Sequence, residues 1–355
     1  MNKHLEKAFN LLDESQLDCM IVTDLRNVRY LSGFSGSAGL LLLSRGKTLL
    51  YTDFRYAEQA ERQAEGFTMR VHAGDVDVFE AVGAEISGCR TIGFEEKHIT
   101  VENFERMKRK ITGKNWCALN LDDLRMVKDN GEISLIETAV NIADKAFARL
   151  LPKLCAGMTE IEAVAWLEFY MRQLGADGTS FNTIVASGAR SSLPHGQPTE
   201  KKLAAGDFIT FDFGAVYQGY CSDITRTVIL GKADSRQRLI YDTVLSAQLA
   251  AISVLKPGVA CKAVDEKARA IIKEAGYGEC FGHGTGHSLG LAIHENPRLS
   301  QTCDVILRAG MVVTVEPGIY IPSWGGVRIE DVAVITDDGA RILTATGKEL
   351  LELAA

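Results

Sequence analysis

Between Ile209 and Val228 the sequence alternates, reverses and alternates again, and this fixes much of what the chain can become. Ile209, Phe211 and Phe213 fall on one face of an extended strand, with Thr210 and Asp212 on the other. Tyr217-Gln218-Gly219 is polar and contains a glycine, the composition of a reversal, and Cys221 to Val228 returns as a second alternating run. With the turn centred between Tyr217 and Gln218, Asp212 stands opposite Asp223. Directly opposed residues of an antiparallel pair have Cβ atoms roughly 4.5–5.5 Å apart, and like charges there are destabilising. Two carboxylates facing each other on an apolar hairpin therefore need a cation. The competing reading makes one aspartate a turn or cap residue and displaces the register by one or two positions.

The arrangement recurs further along. Residues 311–320 read as a buried strand carrying one carboxylate, Glu316. The loop Pro322-Ser323-Trp324-Gly325-Gly326 follows, and residues 327–334 return. A hairpin centred on Ser323 sets Glu316 opposite Glu330. Together the two hairpins offer four hard oxygen ligands from four strands.

The hairpins close two repeated units. Gly157 and Gly258 precede one helix in each unit, and Gly175 and Gly276 follow it, both pairs separated by the same 101 residues. Helical spacing covers 133–151 and 161–174 in the first unit, and 236–255 and 263–275 in the second. Two α/β halves related by a pseudo-two-fold axis would bring the four acids together at their seam, where ligands commonly bind. Residues 1–125 read as a separate small α/β domain, with Leu5, Ala8, Phe9 and Leu12 on a helix and strands near 19–23, 39–43 and 48–52. Its glycine-rich Leu31–Gly39 segment lacks a Gly-Lys-Ser/Thr ending and is followed by no helical pattern, so it reads as a turn into a strand. The polar stretch at 127–132 marks the boundary, and the second domain runs over 130–355. The expected class is α/β (α+β).

Composition narrows the partners. The net charge is −7, from 39 Lys+Arg against 46 Asp+Glu, and no basic run offers a nucleic-acid surface. The first residues lack the apolar core of a signal peptide, and the longest clean apolar run, near Leu40–Leu43, is too short to span a bilayer. Eight cysteines are scattered from Cys19 to Cys303 without a close pair, the pattern of reduced thiols. These features describe a cytoplasmic protein with no membrane contact.

Three histidines fall within Gly282–Glu295: His283, His287 and His294. A helix is disfavoured by Gly282, Gly284, Gly286 and Gly290, so an extended segment with His283 and His287 on one face is expected. His195 follows a proline in the loop Gly188–Gly196. A lone histidine is more often a hydrogen-bonded core or surface group than a ligand, but three beside so many glycines point to a site. One imidazole among carboxylates suits Mn²⁺, Co²⁺ or Fe²⁺ better than a thiolate-type zinc site.

The motifs carry a family resemblance. Leu193-Pro194-His195-Gly196, Asp212 with Asp223, Gly286-His287 with His294, Val315-Glu316-Pro317-Gly318 and Arg328-Ile329-Glu330 are similar to those of the pita-bread metallopeptidases. The two-domain whole resembles the Xaa-Pro peptidases, aminopeptidase P and prolidase. The resemblance implies a pita-bread catalytic domain with two divalent metal ions, manganese first, with cobalt, iron or zinc as substitutes. It assigns Asp212, Asp223, His287, Glu316 and Glu330 as ligands, places His195, His283 and His294 around the substrate, and has Arg328 brace the site. The mechanistic expectation built on this set has Asp223 and Glu330 bridge the metals, Glu316 carry the proton and His294 stabilise the oxyanion. Proline-containing peptides and a homodimeric state follow from the same likeness.

None of the five ligands is replaced, unlike in the metal-free creatine hydrolases and the non-catalytic peptide-binding modules of this fold. Methionine aminopeptidases share the ligands but usually lack such an N-terminal domain. Gly33–Gly39 together with Tyr51–Tyr56 looks like aminopeptidase P, which is the leading expectation. Arg298, four residues after His294, resembles the arginine that prolidases offer to a dipeptide carboxylate, and makes prolidase the alternative.

Overall fold

Leu5, Ala8, Phe9 and Leu12, set at helical spacing, are the buried residues of α1 (Lys3–Glu14). The computed structural model describes residues 3–72 and 77–354. Its contacts separate two units, Met1–Arg125 and Met126–Ala355.

In the first unit β1 (Cys19–Val22) leads to α2 (Leu25–Ser32), which is capped by the Asp24 carboxylate and ended by Gly33 at φ 79°. The glycine-rich segment thus stops a helix and feeds β2 (Leu40–Ser44), which pairs with β3 (Lys47–Asp53). Then come α3 (Ala57–Gln63), β4 (Thr68–His72), α4 (Val78–Glu85), β5 (Thr91–Glu95), α5 (Val101–Lys110) and β6 (Asn115–Leu119). The six strands form one sheet in the order β4-β3-β2-β1-β5-β6. Cys19, Ile21, Leu42, Ile92 and Met107 are among the residues of its core. The alternation of β4 is muted because it has no fully buried residue, and α4 buries only Phe79 and Val82, so neither stands out in the sequence.

The second unit begins with α6 (Asn130–Leu150) and α7 (Glu160–Gln173), each opened by a capping box, Asp129 with Glu132 and Thr159 with Glu162. After β7 (Gly178–Thr179) and β8 (Ile184–Ser187) the first hairpin comprises β9 (Phe208–Phe213), β10 (Ala215–Tyr217), β11 (Tyr220–Cys221) and β12 (Ile224–Leu230). The second half repeats the order with α8 (Ser235–Ser253), α9 (Cys261–Glu274), β13 (Gly286–Ser288) and β14 (Glu295–Leu299). Its hairpin is β15 (Val312–Val315), β16 (Gly318–Ile321), β17 (Gly325–Arg328) and β18 (Asp331–Ile335), followed by β19 (Ala340–Ile342) and β20 (Glu352–Leu353). The larger sheets, β20-β12-β9-β8 and β14-β13-β15-β18-β19, share a β8-β9-β12 and β13-β15-β18 core. Gly157 and Gly258, and Gly175 and Gly276, all have positive φ, so the repeated glycines do the same backbone work in both halves.

The two acid hairpins differ in register. In the second, Val315 pairs with Asp331 and Gly318 with Arg328, leaving Glu316 and Glu330 across from each other in the unpaired interval. Ser323 is at the turn with φ 63°, as expected. In the first, Asp212 pairs with Thr225 and not with Asp223. The turn lies one residue later than expected, because Gln218 and Gly219 both take positive φ and close a two-residue loop between Tyr217 and Tyr220. Asp223 is therefore a diagonal neighbour of Asp212, in the unpaired step between β11 and β12.

Candidate metal centre

The pairing breaks carry the chemistry. Asp223, Glu316 and Glu330 all lie where a hairpin leaves its ladder, while Asp212 stands near the end of β9. Asp223, His287 and Glu330 each present a ligand atom, and these atoms lie within 4.8 Å of one another. Nε2 of His287 is 3.5 Å from Asp223 Oδ2 and 3.3 Å from Glu316 Oε1. Nδ1 of His287 donates to the Ser288 carbonyl at 3.1 Å, which fixes the tautomer and leaves the Nε2 lone pair facing two carboxylates. Asp223 Oδ1 and Glu330 Oε1 are buried and accept no hydrogen bond.

Such an arrangement is untenable for bare charges, because buried carboxylates are found paired, protonated or on a metal. Burial first, and repulsion from Asp212 and Glu316 second, push the Asp223 carboxyl well above the usual range. Glu330 is pushed up in the same way, by burial and then by Asp223. Asp212 is also raised by burial, with Arg328 opposing the shift. The donor set, several carboxylates with one imidazole and orphaned buried oxygens, fits hard divalent cations.

A second layer holds these groups in place. Thr225 Oγ1 donates to Glu330 Oε2 at 2.7 Å and accepts from Arg328 Nε at 3.0 Å. Arg328 also donates to Asp212 Oδ2 at 2.7 Å and to the Tyr320 hydroxyl at 2.8 Å. His283 Nδ1 donates to the Gly284 carbonyl, so its Nε2 accepts from the Tyr320 hydroxyl at 2.8 Å. Thr314 Oγ1 donates to Glu316 Oε1 at 3.1 Å and accepts from the His287 N–H at 3.0 Å. Nothing in the sequence singles out Thr225, Thr314 and Tyr320. Their only signal is position, two residues from Asp223, two before Glu316 and four after it.

All ten site residues expected from the sequence line one cavity of about 830 Å³. Of the ten, His195, His294 and Arg298 are exposed. The His294 ring meets that of His287 edge to face with centroids 4.5 Å apart, and partial desolvation of the ring, together with the neighbouring imidazole, lowers its pKa to about 4. The extended segment expected around the histidines shrinks to β13, and His283 precedes it. Glycine at 286 allows another backbone close, since a Cβ there would lie 2.0 Å from the Thr314 carbonyl oxygen. Arg298 stands directly opposite His287 on β14.

The family model described as metallopeptidase family M24 matches residues 134–337, and the creatinase/prolidase N-terminal domain matches residues 4–127. The Xaa-Pro dipeptidase of Pyrococcus furiosus is 40% identical over 99% of this chain and 100% of its own. The chain belongs to metallopeptidase family M24. Among solved M24 structures, an Xaa-Pro dipeptidase from Bacillus anthracis superposes with a TM-score of 0.96 at 42% identity, covering 99% of each chain. An X-Pro aminopeptidase from Thermotoga maritima gives 0.90 at 38% identity, covering 95% of this chain and 98% of the other. The architecture of this M24 chain is the pita-bread fold, preceded in sequence by a creatinase/prolidase-type N-terminal domain, and M24 enzymes work with two metal ions. Among the described residues no helix is long and apolar enough to cross a membrane.

Proposed function

We propose that the chain is a metal-dependent Xaa-Pro peptidase that hydrolyses the bond between an N-terminal residue and a following proline, with dipeptides as its preferred substrates. The observation that carries the specificity is Arg298 opposite His287, a cation facing the same cavity as the acids and one strand away from them. A dipeptide whose scissile carbonyl lies at the acids ends in a carboxylate only a few ångströms further on. The Pyrococcus and Bacillus relatives, both Xaa-Pro dipeptidases, support this reading. Aminopeptidase P activity is the second reading, favoured by the Thermotoga relative and by the Gly33–Gly39 and Tyr51–Tyr56 segments.

Asp212, Asp223, His287, Glu316 and Glu330 would hold two divalent ions, which supply Lewis acidity and a more acidic water when bound. Manganese suits this oxygen-rich set best, with cobalt, iron or zinc as substitutes. Glu316, steadied by Thr314, takes a proton and passes it to the leaving proline nitrogen. His294, neutral at working pH, donates to the oxygen that gains charge. Proline's nitrogen, bonded to three carbons, offers no N–H, so recognition rests on ring shape against the walls near His195, His283 and His294. Arg328 keeps Asp212 and Tyr320 aligned. The reading extends to a cytoplasmic homodimer.

The test compares an Xaa-Pro dipeptide with an Xaa-Pro-Yaa tripeptide on manganese-loaded and chelated protein. Faster dipeptide cleavage that disappears on chelation is expected. Faster tripeptide cleavage would move the assignment to aminopeptidase P, and no cleavage with metal bound would overturn the proline reading.

A further inference from the structure

A buried ion pair lies behind the histidines, outside the ligand set. Lys128 Nζ is 3.1 Å from Glu295 Oε2, and the two side chains are 1% and 2% exposed. Lys128 also donates to Ser288 Oγ at 2.9 Å, and Ser288 is the cross-strand partner of Glu295. One ammonium therefore joins β13 and β14 immediately beside His287. Its main chain is fixed in turn, with the Lys128 N–H on the Gly310 carbonyl at 2.9 Å and Val127 bridged to Met311.

Glu295 in turn holds a loop. Residues 289–294 form neither helix nor strand, and His294 is the last of them. The other oxygen of Glu295 accepts the Ala292 N–H at 3.1 Å. Gly290 is packed so closely that a Cβ there would lie 2.8 Å from Glu295 Oε2. The loop's main chain is also tied by the Cys221 N–H to the Gly290 carbonyl at 2.8 Å and by the Gly290 N–H to the Ala292 carbonyl at 3.0 Å. The β13–β14 register shifts between His287 and Ser288, so Glu295 and Arg298 flank the irregularity. On one side of it is the pinned carboxylate, and on the other is the cation that faces the cavity.

We propose that Lys128 and Glu295 are positioning residues, a latch that holds the 289–294 loop and thereby sets His294 over His287 for the reaction. The inference rests on the proposed role of His294 toward the substrate. Stability alone is a poor explanation for the pair. Replacing a buried ion pair by apolar groups of similar volume is often neutral, whereas removing one partner strands a buried charge. A charge on the latch also reaches three separate segments at once, which an apolar pair would not do directionally.

The apolar exchange supplies the test. K128M/E295M replaces the pair by apolar groups of similar length, an exchange that is often neutral for stability, while Ala292 loses its acceptor and the loop its anchor. The turnover number on an Xaa-Pro dipeptide should fall about tenfold with KM nearly unchanged, the range seen when outer groups orienting an active site are removed. Adding H294A to this variant should lower turnover no further than H294A alone, because the latch acts through that ring. Carbethoxylation of His294 by diethyl pyrocarbonate, followed by peptide mass mapping, should accelerate severalfold in the variant, while the single K128R variant, which keeps the Glu295 carboxylate, should label near the native rate.

Losses that multiply with H294A, or an unchanged His294 labelling rate, would overturn the latch. If the native protein hydrolyses no proline peptide, the labelling rate still decides the matter separately. Should the double variant fail to fold, E295D keeps the charge but withdraws the carboxylate from Ala292, and the same outcomes apply.

Discussion

His287 and Arg298 stand directly opposite each other on β13 and β14. Side chains of such a pair leave the sheet on the same face. Here that face looks into the cavity lined by Asp212, Asp223, His287, Glu316 and Glu330. A residue able to hold metal and a permanent cation are thus set at the spacing of adjacent strands, a length that suits a two-residue substrate.

Replacing Arg298 by Met should raise KM for an Xaa-Pro dipeptide about ten- to a hundredfold, the worth of one charge-assisted hydrogen bond pair of about 1.5–3 kcal/mol. A tripeptide, whose carboxylate lies elsewhere, should change little. Steady-state kinetics on both substrates decide it, and an equal loss on the two would remove Arg298 from carboxylate recognition.

Thr225 is the single hydroxyl between Arg328 Nε and Glu330 Oε2. Thr225→Val preserves its shape and removes both contacts, leaving a buried carboxylate oxygen without its donor. Metal affinity, measured by titration calorimetry, should weaken about tenfold or more, as for other groups that orient ligands. Affinity equal to that of the native protein would show that Glu330 needs no such support.

How much of this was legible beforehand differs between the two hairpins. Glu316 and Glu330 could be placed because a glycine- and proline-rich loop marks the second turn clearly, and its register is the one the sequence suggests. The first turn was set one residue early, since Gln218 gives no sign that it will take φ 44°. The acids were still found, because alternation shows which face a residue occupies even when its partner is misjudged. Thr225 and Tyr320 escaped for another reason. A hydroxyl becomes part of a site only through what the fold places beside it, and nothing local distinguishes it from other strand residues. Only the family resemblance points to Arg298 as a carboxylate partner, and the β13–β14 pairing adds its place opposite His287.

Gly286 is required by crowding, since a Cβ there would meet the Thr314 carbonyl oxygen at 2.0 Å. Gly286→Ala should push β13 away from β15 and carry His287 with it. Overpacking of this kind destabilises by about 1–3 kcal/mol. The melting temperature should drop, and metal binding should weaken beyond what the stability loss explains. A variant with native melting temperature and native metal content would contradict the close approach.

The raised carboxyl groups predict an opposite pH response for metal-free and metal-loaded protein. Burial, reinforced by mutual repulsion, holds Asp223 and Glu330 well above the ordinary carboxylate range and Asp212 above it. In the unfolded chain the same groups titrate near their usual value of about 4. Between that value and the raised ones, the folded metal-free chain binds more protons than the unfolded chain, so its stability falls as pH rises. Stability from these groups is fully present below about pH 4 and is lost as pH climbs through the raised values. Bound metal takes the place of the protons, and its affinity grows as they leave. The melting temperature of chelated protein should therefore decline across this interval while that of the loaded protein does not, and the gap should widen with pH. Asp223→Asn removes one of the charges and should flatten the chelated curve. A chelated protein that grows more stable over the same interval would mean that the acids are already paired without metal.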